Sequence, residues 1–146
     1  MGKKAHKYVE ALCFLNQLKK TDRLIENKLI EIEQWRSMAV DITARMGGDR
    51  VKSSGSQTRM ADAVERYVDI EAEIKKDIDR LVEAKKDVVT VIEMLPAHEY
   101  DILHKIYVQY LTFYEVADIL KISYSSVTTT HGRALANVQH ILDGRK

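Results

Sequence analysis

Cysteine occurs once in the 146 residues, at Cys13, which excludes an intrachain disulfide and any metal cluster built on several thiolates. Its apolar neighbours in ALCFL predict a packed core residue rather than a reactive thiol. Proline also occurs once, at Pro96, and glycine six times, so the chain has few points at which a helix must stop. A surplus of one charge is missing too: 23 Lys plus Arg face 22 Asp plus Glu, for a formal net charge of +1. No global field draws this protein onto phosphates, and any such attraction has to be local. No apolar run approaches the roughly 18 residues of a membrane span, and the opening MGKKAHKYVEAL lacks the continuous apolar segment of a signal peptide. The expectation is a cytoplasmic protein with no membrane contact.

Signs of catalysis are equally sparse. The chain has no phosphate-cradling glycine loop, no HExxH and no serine or cysteine nucleophile with an assignable base. His98 and His104 are six residues apart and His131 and His140 nine apart, which on a helix puts each pair on different faces, unsuited to chelation. His131 reads as packing against a core, and Trp35, Tyr8 and the tyrosines near residue 100 as packing residues at helical spacing. No enzyme activity, cofactor or metal is expected.

What the sequence does contain is helical periodicity. With 45% apolar and 31% charged residues it suits amphipathic helices, and the predicted fold is all-α. From about Ala5 to Met46 the apolar positions step by three and four through Ala11, Leu15, Leu18, Ile25, Leu29, Ile32, Trp35, Ala39 and Ile42. Two successive steps of three, Leu29 to Ile32 to Trp35, make a stammer that overwinds a supercoil locally. From about Thr58 to Leu95 a heptad-like pattern runs through Met60, Val64, Tyr67, Ile74, Ile78, Leu81, Val88 and Ile92 until Pro96 ends it. Between them GGDRVKSSGSQTR favours a reversal. Residues 1–96 thus read as a long antiparallel, coiled-coil-like hairpin.

Four seam positions are charged: Asp22, Arg36, Glu71 and Lys85. Folding the chain about Ser53-Ser54 sets Asp22 against Lys85, Arg36 against Glu71, Leu15 against Ile92, Leu29 against Ile78 and Thr43 near Val64. Opposite charges would then fix the register by penalising slipped pairings. Val68, Ile70, Val82, Val89 and Val91 lie outside that seam and need another cover. A second copy, giving a four-helix bundle dimer, is the favoured answer; the carboxy-terminal module folding back is the other.

Residues 97–146 read as a helix-turn-helix module. AHEYDILHKIYVQYL forms its first helix, with Ile102, Leu103, Ile106, Tyr107 and Tyr110 inward. Thr112-Phe-Tyr-Glu115 is a capping box opening a short helix, and Ser123 caps the next. With Val127 inward, helical spacing sends Tyr124, Ser125, Thr128 and Thr129 to the exposed face at the end that enters a major groove. Their hydroxyls can meet base edges and phosphates, a threonine methyl can touch thymine, and Lys121 and Arg133 are the best local phosphate contacts. The module's five cations (Lys105, Lys121, Arg133, Arg145, Lys146) equal its five anions (Glu99, Asp101, Glu115, Asp118, Asp143), so one copy alone should bind DNA weakly. Binding must then draw on two copies, on another protein, or on basic residues elsewhere, of which Arg45, Arg50, Lys52 and Arg59 form the densest patch.

The segment ADILKISYSSVTTTHGRAL resembles region four of bacterial sigma factors, the module that reads the upstream promoter element. The order of elements from about Leu24 to Leu142, with a linker like RVKSSGSQTRM and a closing HGRAL, resembles small regulators encoded by phages and prophages of Gram-positive bacteria, the RinA and ArpU type of late-gene activators. Lys121 stands where the turn of such modules usually has glycine, and hydroxyls stand where their recognition face tends to be basic or amide-bearing. The resemblance implies transcriptional control of phage genes; joined to the dimer expected from the uncovered apolar surface, it gives the expectation of a dimeric regulator acting on double-stranded DNA, on two half-sites or beside RNA polymerase. The alternative is a non-enzymatic interaction module that contacts polymerase or another regulator with little DNA binding.

Overall fold

A computed structural model of the chain describes residues 7–48 and 54–146. All its regular structure is helical. Helix α1 spans Val9–Gly48 and α2 spans Ser54–Ile92; α3 spans Ala97–Leu103 and widens into a π-helical turn at His104–Val108; α4 spans Phe113–Leu120 and α5 spans Tyr124–Gly144. No helix among the described residues is long and apolar enough to cross a membrane.

The chain divides into two compact units. The first joins residues up to Thr21 with those from Leu81 onward, and the second is Asp22–Arg80. In the first unit Ala11, Leu15 and Leu18 of α1 and Val88, Val91, Ile92 and Leu95 on the α2 side share one core with Leu103, Tyr107, Ala134, Leu135 and Val138. Leu95 and Leu103 lie on either side of Pro96 in that core, so Pro96 separates elements without separating cores. Polar contacts reinforce it: the Gln139 amide oxygen accepts from the Ala11 N–H at 3.0 Å, supplying an acceptor that the first turn of α1 cannot find within its own helix. Arg145 clasps Asp87 at 2.8 Å, and Lys146 pairs with Glu10 at 2.8 Å.

In the second unit α1 and α2 pack antiparallel, but not in the register expected from the charged seam. Among the described residues, Asp22, Arg36, Glu71 and Lys85 take part in no ion pair. Lys28 instead reaches Asp77 at 2.6 Å and Glu73 at 3.5 Å, and Arg66 reaches Glu31 at 3.1 Å. Asp77 is 3% exposed, and its hydrogen bond holds the Lys28 ammonium charged, raising its pKa. The facing pair Leu29 and Ile78 is correspondingly half out of the seam. The offset is one residue in the choice of face: the buried stripe of α2 keeps a heptad step through Ala63, Ile70 and Asp77 with Ile74 between, where the expected one ran through Val64, Glu71 and Ile78.

Two other expectations are corrected. Cys13 is exposed, because Ala11, Leu15 and Leu18 define the buried stripe and a residue two positions from Ala11 falls on the far side. Of the residues placed outside the seam, Val91 is covered by the carboxy-terminal elements and Ile70 by α1, while Val68 and Val82 stay exposed. Helix α2 begins at Ser54, before the Thr58 expected from composition. Thr43 and the basic residues Arg45, Arg50 and Lys52 lie outside the described side chains.

Candidate nucleic-acid interface

The helix-turn-helix is set by local hydrogen bonds that its sequence encodes. Thr112 Oγ1 accepts from the Glu115 N–H at 3.2 Å, and Glu115 Oε1 accepts from the Thr112 N–H at 3.3 Å, closing the capping box. Helix α4 ends where Lys121 turns left-handed at φ 57°. The Ile122 N–H then reaches the Ala117 carbonyl at 3.1 Å and the Lys121 N–H the Asp118 carbonyl at 3.4 Å, the paired bonds of a Schellman ending. Glycine is common at this position because a Cβ there costs on the order of 1 kcal/mol. Two residues on, Ser123 Oγ accepts from the Ser126 N–H at 3.0 Å and starts α5.

Val127 is fully buried with Ile102 and Val116 in a small core that α4 and α5 share with α3. That rotation leaves Tyr124, Ser125, Thr129, Lys121 and Arg133 exposed. Thr128 is half-buried, and its hydroxyl donates to the Ser125 carbonyl at 2.9 Å. Thr128 therefore offers a methyl and a lone pair outward, whereas Thr129 offers its whole hydroxyl. The amides of Tyr124 and Ser125 in the first turn of α5 have no intrahelical acceptor and face the same end.

An aromatic relay runs inward from this surface, and sequence reasoning missed it. Tyr114, 71% exposed, stacks on Tyr124 with ring centroids 4.5 Å apart. Phe113 lies 6.2 Å from Tyr124 and 4.8 Å from the His131 ring, and His131 stacks over Tyr107 at 5.8 Å. The Tyr107 hydroxyl and His131 Nε2 are 2.7 Å apart. The π-helical turn carries Tyr107 to this position, and it closes on Tyr110, left-handed at φ 60°, where the Leu111 N–H reaches the Lys105 carbonyl at 2.9 Å. The expected helix to Leu111 thus ends early. Tyr124 is thus packed between Tyr114 and Phe113 while 44% of its surface stays exposed.

The charge on this surface is small and well defined. Lys105 pairs with Asp101, Arg145 with Asp87 and Lys146 with Glu10, so the module's cations without an ion pair among the described residues are Lys121 and Arg133. His131 and His104 add little. Burial pushes His131 down to about 4, and burial followed by the charges of Lys105 and Lys85 lowers His104. Burial also raises the Tyr107 hydroxyl to about 12, keeping it a neutral partner for the neutral imidazole. Among the described residues no group of three or more His, Cys, Asp or Glu could hold a metal ion.

His131 makes the module acid-sensitive. Its folded pKa lies below the unfolded value of roughly 6.5, so the unfolded chain takes up the proton first. The associated stability is fully present above about pH 6.5 and is lost as pH falls toward 4. At about 1.4 kcal/mol per unit, the loss should be on the order of 2 to 3 kcal/mol, reduced by partial solvent access. Thermal melts between pH 7.5 and 4 should show it, and His131→Leu should flatten that part of the profile. An equally steep profile in the variant would assign the acid loss to other groups.

No protein-family model, curated protein or solved structure matches the chain.

Proposed function

We propose that this protein is a DNA-binding transcriptional regulator of the sigma-region-four-like phage type, acting as a dimer on double-stranded DNA beside RNA polymerase, with activation of late genes its role. The observation that carries this reading is the presentation of α5. A capped, rigidly seated helix exposes Tyr124, Ser125 and Thr129 at its amino-terminal end, flanked by Lys121 and Arg133, while Val127 anchors it from behind. Lys121 and Arg133 serve phosphates; Thr129, Ser125 and the methyl of Thr128 serve base edges. Two phosphate contacts per module give weak binding, so two modules on paired half-sites supply the affinity.

A second reading is an interaction module that contacts polymerase or another regulator and scarcely touches DNA. Near-neutrality of the α5 surface favours it, since three of the module's cations are engaged in ion pairs and His131 stays uncharged. Mobility shifts on fragments of the genome that encodes the protein separate the two. For a DNA binder, affinity falls steeply with salt, and Lys121→Ala with Arg133→Ala weakens binding on all sequences and reduces the salt slope by about one for each phosphate no longer neutralised. Lys121→Gly should remove the same phosphate interaction while relieving the left-handed backbone, gaining stability as affinity drops. Thr129→Ala should change sequence preference with folding intact. No shift of any fragment at low salt would hand the function to the interaction reading.

A further inference from the structure

The amino ends of α4 and α5 meet at the surface of the first unit, and what they present there is aromatic. Tyr114, in the first turn of α4, lays one side of its ring on Tyr124, the first residue of α5, with the two planes 24° apart. Phe113 backs Tyr124 from the interior. The outer side of Tyr114 is left in water, and among the described residues no large hydrophobic side chain is more exposed. An apolar ring held in water gains free energy when a partner covers it. The apolar surface does not continue along α4: Ile119, its other exposed apolar residue, lies about 140° round the helix from Tyr114. It continues instead on α5, where Thr128 turns its methyl outward one turn after Tyr124.

What surrounds the rings is polar and suits an anion. Lys121 and Arg133 are exposed and without an ion pair among the described residues, and the hydroxyls of Ser125 and Thr129 and the first amides of α5 share this end. Glu115, beside Tyr114, is turned into the capping box by its bonds with Thr112. Asp118, one turn behind Tyr114, is the exposed carboxylate here; it repels phosphates from the body of α4 and leaves the first turn as the part that can approach them. The partner that fits is a polyanion carrying small apolar groups between its charges. In a major groove the one apolar group on a base edge is the C5-methyl of thymine. From Tyr124 to Gly132, moreover, α5 carries no Arg, Lys, Asn, Gln, Asp or Glu, so the pairings that single out guanine, adenine or cytosine have no side chain to make them.

We infer that Tyr114 is a specificity-determining residue of this interface, and that the stacked pair Tyr114 and Tyr124 selects thymine by covering its C5-methyl group. This rests on the DNA-binding reading and names the base feature that reading leaves open. Stacking prepares the pair for the task, because a ring already held against its neighbour has little rotamer freedom left to lose on binding. A protein partner would need apolar surface beyond two rings, and α4 supplies none next to them.

Replacing thymine by uracil in a duplex tests this, because it removes the C5-methyl and leaves every base-edge donor and acceptor and every phosphate in place. The probe is a fragment of the encoding genome that the full chain shifts at low salt, made once with thymine and once with uracil throughout. The wild-type protein should bind the thymine duplex about fourfold more tightly for each methyl covered, the gain from burying one such group. Tyr114→Ala should cut that thymine-to-uracil ratio at least twofold, and Tyr114→Phe should keep it. Both should keep the wild-type salt slope, since neither removes a charge. Because all three proteins meet the same two duplexes, a change of ratio reports the ring and not the shape of the uracil duplex. Circular dichroism should be unchanged, Tyr114 being exposed. A wild-type ratio near one would overturn the assignment, as would a ratio that Tyr114→Ala leaves above half its wild-type value. So would a Tyr114→Phe protein that loses the ratio as the alanine variant does, which would give the contact to the hydroxyl. Thymine and uracil duplexes shifted alike remove the thymine reading and keep the regulator, whereas no shift of any fragment removes both.

Discussion

Val127→Asp is expected to unfold the helix-turn-helix. Val127 is fully buried with Ile102 and Val116, and Ile106, Leu111, Phe113, Ala117, Leu120 and Ile122 pack against that small core. A carboxylate there loses its hydration without gaining a partner, which costs several kcal/mol even after the group protonates or the site relaxes. That is comparable to the roughly 5 to 15 kcal/mol of total stability of a small domain. The variant should lose helical signal and the dispersed methyl resonances of Val116 and Ile102. Thr129→Asp, two residues on at an exposed position, should lose neither. A Val127→Asp protein with wild-type melting would contradict the inward rotation of α5, and with it every assignment on the outward face.

The second large effect is expected at Asp77. Its carboxylate is almost wholly buried and accepts from the Lys28 ammonium at 2.6 Å, with Arg80 at 3.7 Å. Asp77→Ala should destabilise the hairpin by about 2 kcal/mol, between the 0 to 1 kcal/mol of an exposed pair and the 3 to 5 kcal/mol of breaking a fully buried one. The intermediate figure follows from Lys28, whose side chain keeps 19% of its surface in solvent and can partly rehydrate. Replacing both partners, as Lys28→Met with Asp77→Leu, should recover most of the loss, since no charge is then left stranded. Denaturant midpoints of the singles and the double form the required cycle. If the double variant is as unstable as the sum of the singles, the ion pair is not what couples these positions.

The contrast between these sites shows what the sequence made legible. The Thr112 box, the Ser123 cap and the inward Val127 were readable because each depends on residues within one helical turn of it. Register across the hairpin was not. It depends on which of two adjacent heptad stripes of α2 turns inward, and between the neighbouring candidates Asp77 and Ile78 hydropathy favoured the wrong one. Charge complementarity among Asp22, Arg36, Glu71 and Lys85 was present in the composition, but complementary signs do not say whether they meet within a chain. The His131 and Tyr107 pair was hidden for another reason. Its members are 24 residues apart, and a π-helical turn, which leaves little trace in an apolar pattern, rotates Tyr107 beneath the imidazole. Tyr114 was overlooked because an aromatic residue beside a capping box reads as filler until its stacking on Tyr124 is seen.

The shared core across Pro96 bears on how the protein is made. Ala11, Leu15 and Leu18 are translated more than a hundred residues before their partners Ala134, Leu135 and Val138. The Asp22–Arg80 segment can pair locally in the meantime and Val88, Val91, Ile92 and Leu95 then supply part of the cover, but the core around the early turns of α1 closes only when synthesis reaches α5. Premature termination between Leu95 and Ala134 would therefore leave this core open on its α5 side, and nascent chains of this protein should engage holding chaperones until α5 is released.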